Sequence, residues 1–550
     1  LVYASERDGR WGIYEARLTR PEERYFFAGT LVSERPLVVN DRQNSGPRLS
    51  PDGRELAYLE DRTTLRVLNR ATRESRTLLT DRELFGGPSR HLDWSPDGRW
   101  ILFDLDVPGI APSEVGLVRA DGKGQVVNLT RSGFEDSRAR WIAGGKGMMW
   151  FSTRDGLKSV AQSGARQQDV YAMWFDREAW ERARLSKEEL ALLRETEERA
   201  AKARADSARA KGDSAARREP ATATAKPVEL DLDGIETRRA RLTIASAPVG
   251  DALLSKDGET LYYLARFEKG YNLWSTQLRT KETKMLLPLD ASSASMDWDR
   301  DQKTIYLVAD SGIAKVDVSG ATPRREAIRL AGEMLVNEDA ERAAQFEHVW
   351  RTVRDRFYTK GYHGADWTAL RATYEQQLPH VGNGHEFAEL LAEMLGELNV
   401  SHSGAQWTGG GGDATASLGV IWDQTWTGAG ARVVEVLRGG PLDRPGIAVR
   451  AGTIVESVDG VAITPATDVA ELLNRKAGRN VLLAFSTNGA RGEAVVKPIA
   501  GGAEAPLLYA RWVKRNADEV ARLSNGEFGY VHIPGMNDAA YRTTFEEAMG

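Results

Sequence analysis

The chain has no cysteine among its 550 residues. Disulfides, thiolate catalysis and cysteine-ligated metals are therefore excluded. It has no apolar run long enough to cross a bilayer, so no membrane partner is expected. Neither sign of charge dominates, with 74 Lys and Arg against 79 Asp and Glu and a net charge of -5. That balance argues neither for nucleic acid nor for an anionic membrane surface as a partner and leaves room for local basic pockets, and no nucleic-acid partner is expected. Histidine is scarce: His91, His348, His363, His380, His385, His402 and His532 are all there are. His385-Glu386 opens like a zincin helix, but Glu389 stands where the second histidine ligand belongs. No metal site and no cofactor are expected. There is no G-x-S-x-G elbow, which argues against an α/β-hydrolase lobe.

What is present, first, is a repeat. Ser50-Pro51-Asp52-Gly53-Arg54 returns 45 residues later as Ser95-Pro96-Asp97-Gly98-Arg99. An apolar strand follows each, Glu55 to Leu59 and Trp100 to Asp104. Weaker copies run Ala143 to Gly147 before Met148 to Ser152, Ser255 to Gly258 before Thr260 to Leu264, and Asp299 to Lys303 before Thr304 to Val308. Pro and Asp-Gly supply turn chemistry, and the strands alternate apolar residues. Four-stranded propeller blades repeat at about this period, which favours a propeller over a β-sandwich with coincidental turns. The spacing predicts a partial β-propeller over 1–320.

A charged segment interrupts the array at about 176–226. Ser186-Lys187-Glu188-Glu189 has capping-box spacing and predicts a helix start. Acidic and basic residues alternate through it, so a solvated insertion between blades is expected, with a mobile tail over Ala205 to Lys226.

The period becomes helical after Asn337. Phe346, Val349, Trp350, Val353 and Phe357 share one face; Trp367, Leu370, Tyr374 and Leu378 form a second stripe; Phe387, Leu390, Leu391, Met394, Leu395 and Leu398 form a third. Asn383 and Glu386 have capping-box spacing before the third helix. A small α-helical subdomain is predicted over 321–408, ending in Ser401-His402. The Gly-rich loop Gly409 to Gly412 follows.

Ser417-Leu418-Gly419-Val420 then precedes strands at Arg432 to Leu437 and Gly452 to Val458, the turn Asp459-Gly460, a helix over Asp468 to Lys476 and a strand over Asn480 to Phe485. This order resembles a PDZ domain, a β-rich fold, over 413–500. The resemblance implies that the backbone N–H groups of Leu418, Gly419 and Val420 face a peptide's terminal carboxylate while the peptide pairs with the sheet edge. A domain used only for packing is the other reading. Beyond it lie Tyr509-Ala510-Arg511-Trp512-Val513 and Gly526-Glu527-Phe528-Gly529-Tyr530-Val531-His532-Ile533. Phe528 to Pro534 predicts a strand, the start of an α/β lobe over 506–550.

Propeller, helical block ending in Ser-His, PDZ and α/β start, in that order, resemble the tricorn proteases, serine peptidases related to the C-terminal-processing proteases. The resemblance implies that His402 is a general base and that Ser401 holds its other ring nitrogen. It places the nucleophilic serine and a glutamate further along, beyond residue 550. The chain opens on Leu1-Val2-Tyr3, in a strand, and closes within an α/β unit, so it reads as a section of a longer protein. It further implies peptide substrates filtered or channelled by the propeller, a homo-oligomer, and a cytoplasmic location with the periplasm as alternative. A serine hydroxyl needs a neighbouring base to accept its proton, and imidazole titrates in the right range. The rival reading, from another class, is a non-catalytic propeller–PDZ scaffold that binds peptide tails.

Overall fold

The computed structural model describes residues 1–549 except 86–90, 110–111, 159–165, 211–225, 311, 321 and 409–413. It divides into two compact units, Leu1–Val336 and Asn337–Gly550.

The first unit consists of antiparallel blades. A three-stranded sheet spans 2–38, and four-stranded meanders span 44–79, 92–128, 136–241, 249–291 and 294–328. The repeated motif is the turn between the first and second strands of a blade. Ser50 Oγ donates to Asp52 Oδ1 at 2.6 Å and accepts from the Glu55 N–H at 2.9 Å. Ser95 does the same with Asp97 and Trp100, and Ser255 with Asp257 and Thr260. Gly53, Gly98 and Gly258 take φ of +69°, +70° and +74°, where a side chain is strained. In the last blade Gln302 occupies that slot at φ +56°, and Asp299 replaces the serine as acceptor.

A second repeat joins the blades. The indole N–H of Trp94 donates to Arg48 O of the preceding blade at 3.2 Å, Trp141 to Asp93 O at 3.2 Å, and Trp298 to Leu254 O at 3.1 Å. The junction between the 136–241 and 249–291 blades uses arginines instead. Arg138 donates to Gly250 O at 2.6 Å, and Arg140 pairs with Asp251 at 3.0 Å. Buried apolar side chains from adjoining blades fill the space between, among them Leu65, Ile101 and Phe103 at one junction.

The charged insertion departs from expectation. Helices α1 (Arg177–Arg184) and α2 (Lys187–Ala210) form, and Ser186 and Glu189 make the reciprocal capping box. They are not a solvated spacer. Trp180 lies 5.2 Å from Trp174 and packs on the blade core, while Leu190 is only 3% exposed. Arg279 donates to the Arg182 and Leu185 carbonyls, and Arg194 pairs with Glu259 at 2.7 Å. Alternating charge described the outer face; one Trp and one Leu anchor the inner one. Residues 211–225, the greater part of the expected mobile tail, lie outside the described residues.

In the second unit, α3 (Glu338–Arg356), α4 (Trp367–Glu375) and α5 (Gly384–Gly396) bury Phe346, Trp350, Trp367, Phe387, Leu391 and Met394. The Trp350 indole donates to Trp367 O at 2.8 Å, and the Trp367 indole to Trp350 O at 3.0 Å. Asn383 caps α5 by accepting from the His385 and Glu386 N–H groups. Glu386 reaches one residue further back than a capping box requires, to the Gly382 N–H at 2.8 Å.

Next comes a sheet in the order Val420–Trp422, Ala431–Val436, Ile454–Val458, Val481–Thr487, Ala490–Val496, with Val461–Ala462 paired to Ile454–Val458. Its helix, α6 (Val469–Leu472), is less than half the predicted length. It stops because residues 414–416 bridge to its end: Arg475 N donates to Ala414 O and Ala416 N to Leu473 O. The chain continues into α7 (Ala505–Leu523) and α8 (Asp538–Met549). Arg511 on α7 fixes it to the sheet through two bonds to Glu435, 2.8 and 2.6 Å. The strand expected at Phe528 to Pro534 does not form. Strand composition is not enough without a neighbour to complete the ladder, and no described residue pairs with it. Its His532 is held by the Tyr509 and Tyr530 hydroxyls beside Trp512, a structural ring.

Candidate functional site

Ser401 and His402 lie in a turn just past α5. Two left-handed residues shape it, Asn399 at φ +46° and His402 at φ +61°. A non-glycine residue in this region is strained, and such strain is held only where the surroundings determine it. The surroundings are visible. His363 donates from Nδ1 to Leu398 O at 2.9 Å, and the Tyr358 hydroxyl meets its Nε2. Because a carbonyl only accepts, the proton on Nδ1 is assigned by this bond. Ser403 Oγ donates to Val400 O at 2.9 Å. Leu398, 1% exposed, anchors the turn in the helical core. Trp407 then folds back so closely over Gly384 that a Cβ there would sit 2.7 Å from its ring.

On this frame Ser401 and His402 are exposed, and neither side chain has a hydrogen-bond partner among the described residues. Both imidazole nitrogens can therefore meet an incoming group. No described serine or carboxylate completes a triad around them. His363 and Tyr358 escaped the sequence reading; a histidine five residues from a tyrosine carries no signal until the fold places it beneath Leu398.

The Leu418-Gly419-Val420 segment leads into the edge strand of the sheet. Leu418 and Val420 are buried. Gly419 has φ +66°, and a Cβ there would approach Pro441 Cδ to 2.9 Å, so only glycine fits. Its N–H donates to Ser417 Oγ at 2.9 Å, and Ser417 donates its own proton to Glu504. A groove of about 450 Å³ runs between the edge strand and α6, with Val420, Trp422, Val469 and Leu473 among its walls. The segment thus sits at one end of a groove suited in shape to an extended peptide.

The first unit holds a larger cavity, about 700 Å³, lined by the innermost strands of five blades. Arg48, His91, Asp93, Arg140 and Asp297 face it. Burial, aided by Arg140, Arg48 and Arg138, lowers the His91 imidazole to about 4, and its Nε2 is buried without a partner among the described residues. Burial raises the Asp93 carboxyl to about 6, although it accepts the Trp141 N–H at 2.8 Å. Both groups are held neutral in the mildly acidic range.

Residues 338–396 match the tricorn protease C1 domain, and residues 425–501 match the tricorn protease PDZ domain. Among curated proteins, the chain is 35% identical over 218 residues to tricorn protease homolog 1 of Streptomyces coelicolor, covering 36% of this chain and 20% of that one. It is 27% identical over 500 residues to putative tricorn protease homolog 2 of the same organism, covering 83% of this chain and 40% of that one. The crystal structure of the tricorn protease superposes with a TM-score of 0.65 at 13% identity, over 98% of this chain and 50% of that one, which shows a shared fold. The chain matches two fifths or less of the length of these two curated relatives. By its two matched domains, and by a relative that aligns with it through propeller, helices and PDZ sheet, the chain is similar to the tricorn proteases.

Proposed function

We propose that this chain is the propeller, C1 and PDZ portion of a tricorn-like serine endopeptidase that degrades peptides. One observation carries the reading: an exposed imidazole, His402, with no partner on either nitrogen among the described residues, held on a strained turn just past the residues that match a C1 domain. A general base must be open on one side to the nucleophile and on the other to a group that fixes its tautomer. In this reading Ser401 supplies the second contact, and a serine nucleophile and a glutamate reach the pair from outside the described residues. The nucleophile loses its proton to His402 as it attacks the peptide carbonyl, and His402 returns that proton to the leaving amine.

The same reading gives the propeller cavity the role of a peptide filter. It gives the Leu418-Gly419-Val420 loop and the adjoining strand edge the role of a peptide-binding site. The whole protein is then a cytoplasmic homo-oligomer. No described helix is long and apolar enough to cross a membrane.

The test is turnover of fluorogenic peptides by the full-length protein and by its His402→Ala variant. The reading requires activity in the first and a collapse of kcat in the second. Peptide binding without turnover by the full-length protein would establish a scaffold instead. The 550-residue chain alone is expected to be inactive, since a base without a nucleophile forms no acyl-enzyme.

A further inference from the structure

The groove beside α6 has a chemistry that the resemblance to PDZ domains does not imply. A loop that captures a terminal carboxylate needs free N–H donors and positive surroundings. Here the Gly419 N–H is already satisfied by Ser417 Oγ. The hydroxyl that satisfies it is polarised by a carboxylate, Glu504, whose side chain lines the same groove. An entering carboxylate would have to displace Ser417 from Gly419 and lie beside Glu504, and two carboxylates sharing a site repel.

The other charged walls do not relieve this. Arg432 is the one basic residue among the described lining residues, and it is committed. It makes two bonds to Asp423, one of them 2.6 Å, and lies over the Trp426 ring at 4.7 Å. Asp468, whose carboxylate caps α6 at the Ala470 N–H, makes no ion pair among the described residues, and neither does Glu504. Two uncompensated carboxylates therefore remain in the groove.

The backbone meanwhile offers a docking edge. Among the described residues, Val420–Trp422 ends the sheet and pairs only with Ala431–Val436, so its other side faces the groove. Such an edge accepts an extended chain by backbone hydrogen bonding, whatever its sequence.

We propose that this groove binds an extended peptide segment carrying a basic side chain, selected by Glu504 and Asp468, and does not select a free C-terminus. The inference rests on the peptide-binding reading of the Leu418 to Val420 loop and changes what that loop recognises. Glu504 holds the loop closed through Ser417 and presents its charge to a Lys or Arg of the peptide. A C-terminal carboxylate gains nothing from the site. A peptide threaded through by its middle does.

Three Val/Thr-rich heptapeptides test this on the intact protein. One has a central Arg and both ends blocked. One has a central Glu and both ends blocked. One has a central Ala and is prepared both as amide and as free acid. The Arg peptide is expected to bind at least about tenfold tighter than the Glu peptide, the scale of a charge-assisted hydrogen bond. Free acid and amide of the Ala peptide are expected to bind alike. Glu504→Gln keeps an acceptor for Ser417, and Asp468→Asn keeps the helix cap. The double variant is expected to reduce the Arg preference to threefold or less. An Arg preference that survives the double variant overturns the assignment, as does tenfold tighter binding of the free acid. Amide shifts at Val420 to Trp422 separate the two levels. Shifts without charge preference retire this inference and leave the peptide site standing; absence of shifts with every peptide retires both.

Discussion

Serine-bearing turns occur in both units, and they differ in one respect. In the propeller, Ser95 is fully buried, donates to Asp97 and accepts the Arg99 and Trp100 N–H groups. After α5, Ser401 and its neighbour His402 are exposed and bonded to nothing among the described residues. The first turn spends its whole hydrogen-bonding capacity on the fold. The second, strained at Asn399 and His402, keeps its capacity in reserve. Exposed groups are satisfied by water, so the second turn leaves its side chains open to a partner, as the proposed role of His402 requires.

The sharpest way to break this comparison is at His402. In the full-length protein, His402→Ala is expected to lower kcat by about three or more orders of magnitude with unchanged circular dichroism. A near-normal kcat would remove His402 from the chemistry.

The next largest effect concerns what the insertion anchors. Trp180→Ala, against the blade core, and Leu190→Ala, at a buried position, are each expected to destabilise the first unit by about 2–4 kcal/mol, because both leave cavities. Urea unfolding measures this. Changes below about 0.5 kcal/mol would return the insertion to the role of a solvated spacer.

The cavity pair gives a test by pH. Between about pH 4 and 6 the folded chain holds Asp93 protonated and His91 neutral. The unfolded chain holds the first ionised and the second protonated. Each state then binds one proton on the pair, so their contributions to the pH slope cancel. His91→Asn leaves Asp93 alone, with its raised folded value. Relative to the parent chain, stability should then fall as pH rises from about 4 to 6, by up to about 3 kcal/mol. Asp93→Asn leaves His91 alone, with its lowered folded value, and stability should fall as pH drops from about 6.5 to 4. Arg48, Arg140 and Asp297 face the same cavity, and Arg138 acts on His91 as well. Parallel stability profiles for both variants and the parent would remove the pair from the account.

The smallest effect returns to the two serines. Ser95→Ala is expected to destabilise by about 1–3 kcal/mol through buried N–H groups left without an acceptor, with activity retained. Ser401→Ala should leave stability within about 0.5 kcal/mol and lower kcat by about tenfold. The opposite assignment of the two losses would invert the comparison.

What the sequence disclosed follows the same division. The Ser-Pro-Asp-Gly turns were legible because their bonds close within five residues, and the helical stripes because period alone positions them. The capping box at Ser186 was legible for the same reason. Contacts between distant segments were not. The Trp indoles reach back about 45 residues to a carbonyl, and Arg138 reaches forward 112 to Gly250, and neither acceptor has a side-chain signature. Ser401-His402 drew attention by position and resemblance, whereas His363 and Tyr358 beneath them did not. Phe528 to Pro534 had the composition of a strand and has no pairing neighbour among the described residues. The acidity of the PDZ groove depends on Glu504, more than eighty residues from Ser417.

The reciprocal pair Trp350 and Trp367 gives the C1 domain its own spectroscopic reporter. Each indole proton points at the other's carbonyl, inside the helical core that carries His402. Neither proton can exchange with deuterated solvent until α3 and α4 separate. Two downfield indole resonances that persist together and fade together would time the opening of the platform beneath the imidazole, without any label and without any substrate.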